Sequence, residues 1–238
     1  MTAPLPEETA PPAFRFEVGP EFHEMPLGLG DDEETHGDRL REFAHDYWGG
    51  QEDLEPLRLL TRAVQAAGAQ TLVEGGAVYQ AIGVFPIGGS ADGTEPPERI
   101  SRATLTVSVR ELENPDPHLT AAGISEVLAQ DDGESEVQLI TLPAGPGIVR
   151  VAGSRSVWEL PDEEELEQFH VRIEVWLPFP SEDRLLLLCL STADVRDLFH
   201  YQAVLADIAD TVAFGETVGA GDAEPADHSA PLSPFTAY

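Results

Sequence analysis

The sequence contains no lysine, a single cysteine and no long apolar run, and each absence removes a class of function. All 13 basic residues are arginine, against 44 acidic residues, and the formal net charge is -31. Nucleic acids and anionic lipids are bound mainly by Lys and Arg that neutralise phosphates, so a field of this sign repels them. The composition therefore predicts no nucleic-acid binding and fits a basic protein partner, while solubility alone is a second explanation of the acidity.

The acidic excess belongs to the central part of the chain as well as to its ends. Residues 1–35 hold nine acids and one Arg, and residues 215–238 hold four acids and no Arg. Removing both ends leaves 31 acids and 12 arginines, a net charge of -19. The predicted folded domain is therefore itself strongly acidic.

Neither a membrane span nor a disulfide is predicted. No apolar run approaches the ~20 residues that cross a bilayer, and residues 1–13 lack the basic start and apolar core of a signal peptide. We therefore expect a cytoplasmic protein without membrane insertion. Cys189 lies within the run LLLLCLS, where a thiol is expected to be a buried packing group rather than a nucleophile.

The usual signatures of catalysis and cofactor binding are missing from the sequence. It has no G-x-S-x-G, H-E-x-x-H or paired-cysteine motif, and none of its seven histidines lies four residues from another. The glycine-rich segments 88–90 and 145–147 precede strands and lack a P-loop lysine, so they are predicted turns. The acidic run 162–167 lacks the ligand pattern of a calcium loop. We predict no catalytic, cofactor or metal site.

Residues 169–214 carry the clearest structural pattern. The segment 169–177 alternates apolar and polar residues, as a half-buried strand does, whereas 185–190 is apolar on both faces and is expected in the middle of a sheet. A helix follows, with one apolar stripe predicted to lie on the sheet. That stripe consists of Val195, Leu198, Phe199, Leu205, Ile208 and Val212.

The rest of the chain predicts an α+β domain with an antiparallel-dominated sheet of five to six strands and helices on its faces. Helices are expected at 37–48, at 54–69 with Leu54, Leu57, Leu60 and Val64 on one face, and at 117–130 with Leu119, Ile124, Val127 and Leu128 inside. Strands are expected at 77–87, 103–112, 137–142 and 148–152. The predicted organisation is a disordered 1–13, one domain over 14–214 (a helical part at 36–69 and a sandwich at 77–214), and a disordered tail at 215–238.

The polar face of the strand 169–177 is the predicted binding site. It carries His170, Arg172, Glu174 and Trp176, and an aromatic side chain among polar groups is a typical binding anchor. In the alternative, helices cover both faces of the sheet and Trp176 fills a second packed layer. A further alternative is an enzyme whose site is formed by His170, Arg172 and Glu174.

The order of elements from about residue 77 to 214 resembles the PsbP-like α/β/α sandwich superfamily. The segments SRATLTVSVREL, VQLITLPAGPGIVRV and VRIEVWLPFPSEDRLLLLCLSTADVRDLFHYQAVLADIADTVAF are similar to its closing unit, with a P-x-P turn and a final T-[VL]-x-F. The resemblance implies a binding or assembly factor, and no functional residue carries over from it. We therefore expect a non-catalytic protein-binding module, an adaptor or chaperone for secretion or assembly; the alternatives are the enzyme above and a structural subunit of a larger assembly.

Overall fold

A computed structural model describes residues 14–89, 96–112, 116–130, 135–159, 165–180 and 182–215. Two predicted disordered segments, residues 1–13 and the tail beyond Gly215, lie outside these ranges. All structural statements below refer to the described residues.

The described chain forms nine strands and four α-helices. The strands are β1 (Phe14–Arg15), β2 (Phe22–Glu24), β3 (Ala77–Ile87), β4 (Arg99–Glu111), β5 (Ser135–Leu142), β6 (Gly145–Glu159), β7 (Glu165–Pro178), β8 (Arg184–Thr192) and β9 (Ala213–Phe214). The helices are α1 (Glu33–Trp48), α2 (Glu55–Glu74), α3 (Pro117–Ala129) and α4 (Leu198–Asp210). Asp32 and Asp116 cap α1 and α3, each accepting a hydrogen bond from a backbone N–H of the first turn.

Seven strands form one sheet in the order β2-β3-β4-β8-β7-β6-β5, and each neighbouring pair is antiparallel. The α+β class and the antiparallel sheet are confirmed, and β8 lies in the middle of the sheet as its apolar run predicts. The predicted count of five to six strands is wrong. The unpredicted member is β2, a three-residue strand that pairs with residues 81–83 of β3.

One face of the sheet carries the apolar core. Leu105 and Val107 of β4 pair with Leu190 and Leu188 of β8, which pair in turn with Ile173 and Val175 of β7, and all six side chains are fully buried. α4 lies on this face, where Tyr201 packs edge-on against Phe85 of β3. Burial of this apolar surface is the main force that holds α4 on the sheet.

A polar network fastens α4 to the sheet within the same layer. The Tyr201 and Ser101 hydroxyls are hydrogen-bonded at 2.5 Å. One turn earlier, the Arg99 guanidinium makes two hydrogen bonds to the carboxylate of Asp197, which has little exposure to solvent. Because buried polar groups without partners are costly, these pairs fix where the helix begins.

The Asp197 carboxylate gives the fold a predicted acid sensitivity. The hydrogen bonds from Arg99 lower the pKa of Asp197 to about 2. A lowered folded-state pKa stabilises the fold above the ordinary carboxyl pKa of about 4, and that contribution disappears as pH falls toward 2. In urea titrations, wild type should therefore be more stable than Asp197→Asn at pH 6, and the difference should shrink between pH 4 and pH 2. A difference independent of pH would contradict this assignment.

The opposite face of the sheet is covered in part by the other three helices. α3 contacts β5, β6 and β7, and beneath it Ile148, Arg150 and Ala152 of β6 are buried. α1 and α2 form a hairpin beside β2 and β3, where His23 of β2 packs edge-on against Tyr47. The central strands β4, β8 and β7 lie between these two helical parts.

Three helices expose apolar residues that the sequence pattern placed inside. On α2, Leu57, Leu60 and Val64 are exposed, and on α3 Leu119 and Val127 are exposed. The polar side of α2 faces inward instead, because Arg58 donates to the carbonyl oxygens of Gly49 and Gln51 and Trp48 donates to Thr61. On α4, Phe199 is 73% exposed. The predicted inward orientation is wrong for Leu119, Val127 and Phe199, and the apolar face predicted for α2 is exposed at Leu57, Leu60 and Val64.

None of the helices in the described ranges has the length and apolar character that a membrane crossing needs.

Candidate binding surface on the open sheet face

The central strip is a band of partly exposed side chains on β4, β8 and β7, between α3 and the α1–α2 hairpin. It is formed by Thr104, Thr106, Arg172, Trp176, Leu187, Cys189 and Ser191. The register sets these residues in rows across the sheet, with Thr106, Cys189 and Glu174 in one row and Thr104, Ser191 and Arg172 in the next. Neighbours in a row lie within side-chain contact distance, so the strip is a continuous surface.

Glu174 organises the polar end of the central strip. Its side chain is only 5% exposed. The carboxylate accepts a hydrogen bond from Trp176 Nε1 at 3.3 Å and lies 3.5 Å from Arg150 Nη1 and 3.7 Å from Arg172 Nε. One buried acid therefore positions an indole and two guanidinium groups.

The strand geometry explains why these four groups meet. Arg172, Glu174 and Trp176 alternate onto one face of β7 because side chains two residues apart point the same way. Arg150 of β6 is the direct cross-strand partner of Glu174. Opposite charges at directly paired positions attract, and burial beneath α3 shields this pair from water.

Exposed arginines lie in and beside the central strip of this acidic protein. Arg172 has 47% of its side chain exposed, and Arg102 and Arg110 of β4 are exposed on the same face. Glu174 is the acid beside Arg172, and Arg150 is a second guanidinium next to the same carboxylate. The strip therefore offers guanidinium donors to carbonyl or carboxylate groups of a ligand.

Cys189 lies in the middle of the strip as a protonated thiol. Burial and, to a smaller extent, the negative charge of Glu174 raise its pKa to about 11, although Arg172 acts in the opposite direction. The thiolate is the nucleophilic form, so at neutral pH this residue is a weak nucleophile. The structure leaves Cys189 partly exposed, whereas the sequence pattern predicts a buried packing group.

Slow thiol chemistry follows from that environment. An aromatic disulfide reagent that reacts with thiolates should modify Cys189 much more slowly in the folded protein at pH 8 than in protein unfolded in urea. The reason is that unfolding restores an ordinary thiol pKa near 8.5. Absorbance of the released aromatic thiol measures both rates. Equal rates in the two states would contradict the raised pKa of this thiol.

Of the four predicted site residues, the structure brings three together. Arg172, Glu174 and Trp176 form the cluster, whereas His170 pairs with Ser154 at the far end of the strand face. Four residues of extended strand separate His170 from Glu174 by about 13 Å. Arg150 was missed, and its only signal in the sequence is one arginine inside the apolar segment IVRVA.

The arrangement suits binding better than proton transfer. The Glu174 carboxylate already accepts a hydrogen bond from Trp176 Nε1 and lies beside the guanidinium groups of Arg150 and Arg172. Within the described ranges, no group of three or more His, Cys, Asp or Glu side chains could hold a metal ion.

Two cavities lie away from the central strip. One of about 400 Å³ lies between the segment 17–22 and α4, and is lined by Phe22, His200 and the acids Glu17, Glu21 and Asp207. The other, of about 340 Å³, lies between β2 and α1. Neither includes a residue of the predicted site.

The sequence matches no known family model, and no curated protein shows significant similarity to it. The relation to the PsbP-like superfamily therefore remains a prediction.

Proposed function

We propose that this protein is a non-catalytic binding module that takes another protein on its central strip. The observation that carries the proposal is the partly exposed pair of Arg172 and Trp176, both held by the buried Glu174. Trp and Arg are the residues that most often dominate the energy of protein interfaces.

Preorganisation supports a binding role for this pair. A long arginine side chain loses rotamer entropy when a partner immobilises it, at a cost of roughly 1 kcal/mol. Arg172 and Trp176 already have a common buried anchor, so part of that entropy is lost on folding rather than on binding. The strip is therefore ready to contact a partner without large rearrangement.

The charge distribution supports a partner with two features. The net charge of -31 attracts a basic protein from a distance and raises the rate of encounter. At contact, the exposed guanidinium groups of Arg102, Arg110 and Arg172 fit backbone carbonyls or carboxylates. A basic protein that presents an extended or acidic segment to the strip satisfies both requirements.

The sequence resemblance points to the same class of function. Members of the PsbP-like superfamily with known roles are mostly binding or assembly factors, which fits an adaptor or chaperone of a cytoplasmic secretion or assembly system. In this proposal the chain forms an α/β/α sandwich with a helical N-terminal addition. The alternative of an enzyme that uses His170 requires this histidine to act apart from Glu174.

Affinity capture with a charge-matched control tests the proposal. Tagged wild-type protein, Arg172→Ala and Arg41→Ala are incubated with lysate at low salt, and the recovered proteins are quantified by mass spectrometry. Arg41 is an exposed arginine on α1, so both variants remove one surface guanidinium. Wild type and Arg41→Ala should recover the same partner, and Arg172→Ala should lose it.

The recovery should also fall as salt rises, because screening weakens the attraction between an acidic protein and a basic partner. Equal recovery by Arg172→Ala and wild type would place the binding surface elsewhere. Recovery of no protein above an empty-tag control would contradict the binding function itself.

A further inference from the structure

The outer edge of β5 is an unprotected strand edge. β5 pairs with β6 alone, and within the described ranges no other strand lies beyond it. The pairing is continuous from Ser135 to Leu142, without a bulge or proline in β5. Edges of this kind bind other strands unless shortness, charge or proline prevents it. The opposite edge, β2, is protected because it has only three residues.

The register identifies which backbone groups point away from β6. Pro146 pairs with Thr141 and has no N–H, so this pair is a non-hydrogen-bonded one. Hydrogen-bonded and non-hydrogen-bonded pairs alternate along an antiparallel ladder. The N–H and C=O groups of Val137, Leu139 and Thr141 therefore point outward from the sheet.

The two elements at this edge carry little charge of their own, although Asp131, Asp132 and Glu134 come directly before β5 in the sequence. α3 and β5 together hold two of the 44 acidic residues, Glu126 and Glu136, and no arginine. They also hold three large apolar side chains that are more than half exposed: Leu119 at 63%, Val127 at 68% and Leu139 at 54%. On so acidic a molecule, the part of β5 from Val137 to Leu142 presents an uncharged edge to a second copy.

We propose that β5 pairs antiparallel with β5 of a second copy, which extends the sheet across a two-fold axis at Leu139. The three outward residues of each strand would then form six intermolecular hydrogen bonds, with Val137 opposite Thr141 of the second copy. Leu139 meets its own equivalent, and Glu136 lies opposite Leu142 rather than another acid. α3 packs on β5 and β6, so the two copies of α3 flank the junction on one face.

The β5 edge is self-complementary, and this favours a second copy of the chain over a different protein as its binding partner. A two-fold interface needs a patch that fits itself, and this edge places its most exposed leucine at the axis and separates its like charges. The proposal is independent of the central strip, which lies on β4, β8 and β7.

Sedimentation velocity of the full chain tests the pairing. A monomer–dimer equilibrium is expected from micromolar to hundred-micromolar protein. Because both copies are acidic, the dimer should tighten when salt rises from about 0.1 M to about 1 M, where the Debye length falls to roughly 3 Å. A monomer at every concentration and salt would overturn the proposal, as would a dimer that weakens with salt.

Two pairs of variants locate the interface. Thr141→Pro removes an outward N–H without touching the β5–β6 ladder, whereas Thr141→Ala keeps it. Leu139→Lys places a charge at the axis, whereas Leu60→Lys alters an equally exposed leucine on α2. Thr141→Pro and Leu139→Lys should raise the dimer dissociation constant about tenfold or more, and the two controls should leave it unchanged. Circular dichroism confirms that each variant is folded.

A dimer lost in Leu60→Lys but kept in Leu139→Lys would place the interface on α2 and overturn the proposal. Amide hydrogen exchange gives an independent readout. The outward N–H groups of Val137, Leu139 and Thr141 should exchange more slowly as protein concentration rises, and exchange independent of concentration would count against the pairing.

Discussion

Tyr201→Ala is expected to lower the free energy of unfolding by about 4 kcal/mol, because it removes a fully buried aromatic ring from the core. The substitution deletes the ring contact with Phe85 and leaves the Ser101 hydroxyl without its partner. Since α4 contacts the sheet through this residue, most of the loss should come from weakened docking of the helix. Urea unfolding followed by circular dichroism measures the change.

Phe199→Ala is the matched control on the same helix. Phe199 is two residues before Tyr201 and lies in solvent, so its truncation should change the free energy of unfolding by less than about 0.5 kcal/mol. A large loss for Phe199→Ala would mean that α4 packs with the opposite orientation. A small loss for Tyr201→Ala would contradict the described core.

Glu174→Ala is expected to destabilise the protein by about 3 kcal/mol, because it removes a buried carboxylate that lies 3.5 Å from the buried Arg150 guanidinium. It should also free Arg172 and Trp176 from their common anchor. The loss should therefore appear both in urea unfolding and in weaker capture of the partner proposed for the central strip.

Glu167→Ala provides the comparison on the same strand. Glu167 of β7 also pairs with an arginine of β6, Arg155, but both side chains are more than half exposed. An exposed ion pair contributes little, so this variant should lose less than about 0.5 kcal/mol. Equal effects of the two substitutions would show that burial does not distinguish the two ion pairs.

The sequence predicts the elements of this fold better than their orientation. The predicted strand 77–87 coincides with β3, and the apolar run of β8 indicates the middle of the sheet, since both patterns reflect local burial. Periodicity shows which helical residues share a face but cannot show which face is buried. Leu57 and Leu60 of α2 are exposed because polar contacts of Arg58 fix the helix with its other side inward. β2 was missed because three residues give no recognisable period.

The site was predictable only as far as a single strand allows. Alternation put Arg172, Glu174 and Trp176 on one face, and the structure groups them. The role of Arg150 depends on the register between β6 and β7, which places it opposite Glu174, 24 positions away in the sequence. The pattern within either strand does not predict this register. His170 lies on the same face of β7 as these three residues, but it is too far along the strand to contact Glu174. An alternating pattern shows which residues share a face and does not show which of them are close together.

The affinity of the captured partner for Trp176 variants tests the binding function most directly. Isothermal titration compares wild type, Trp176→Ala and the control Leu60→Ala, each checked for folding by circular dichroism. If the central strip is the binding surface, Trp176→Ala should weaken binding by about thirtyfold or more, the range of an interface hot spot, and Leu60→Ala should bind like wild type. Unchanged affinity for Trp176→Ala, with the protein folded, would contradict the central strip as the binding surface.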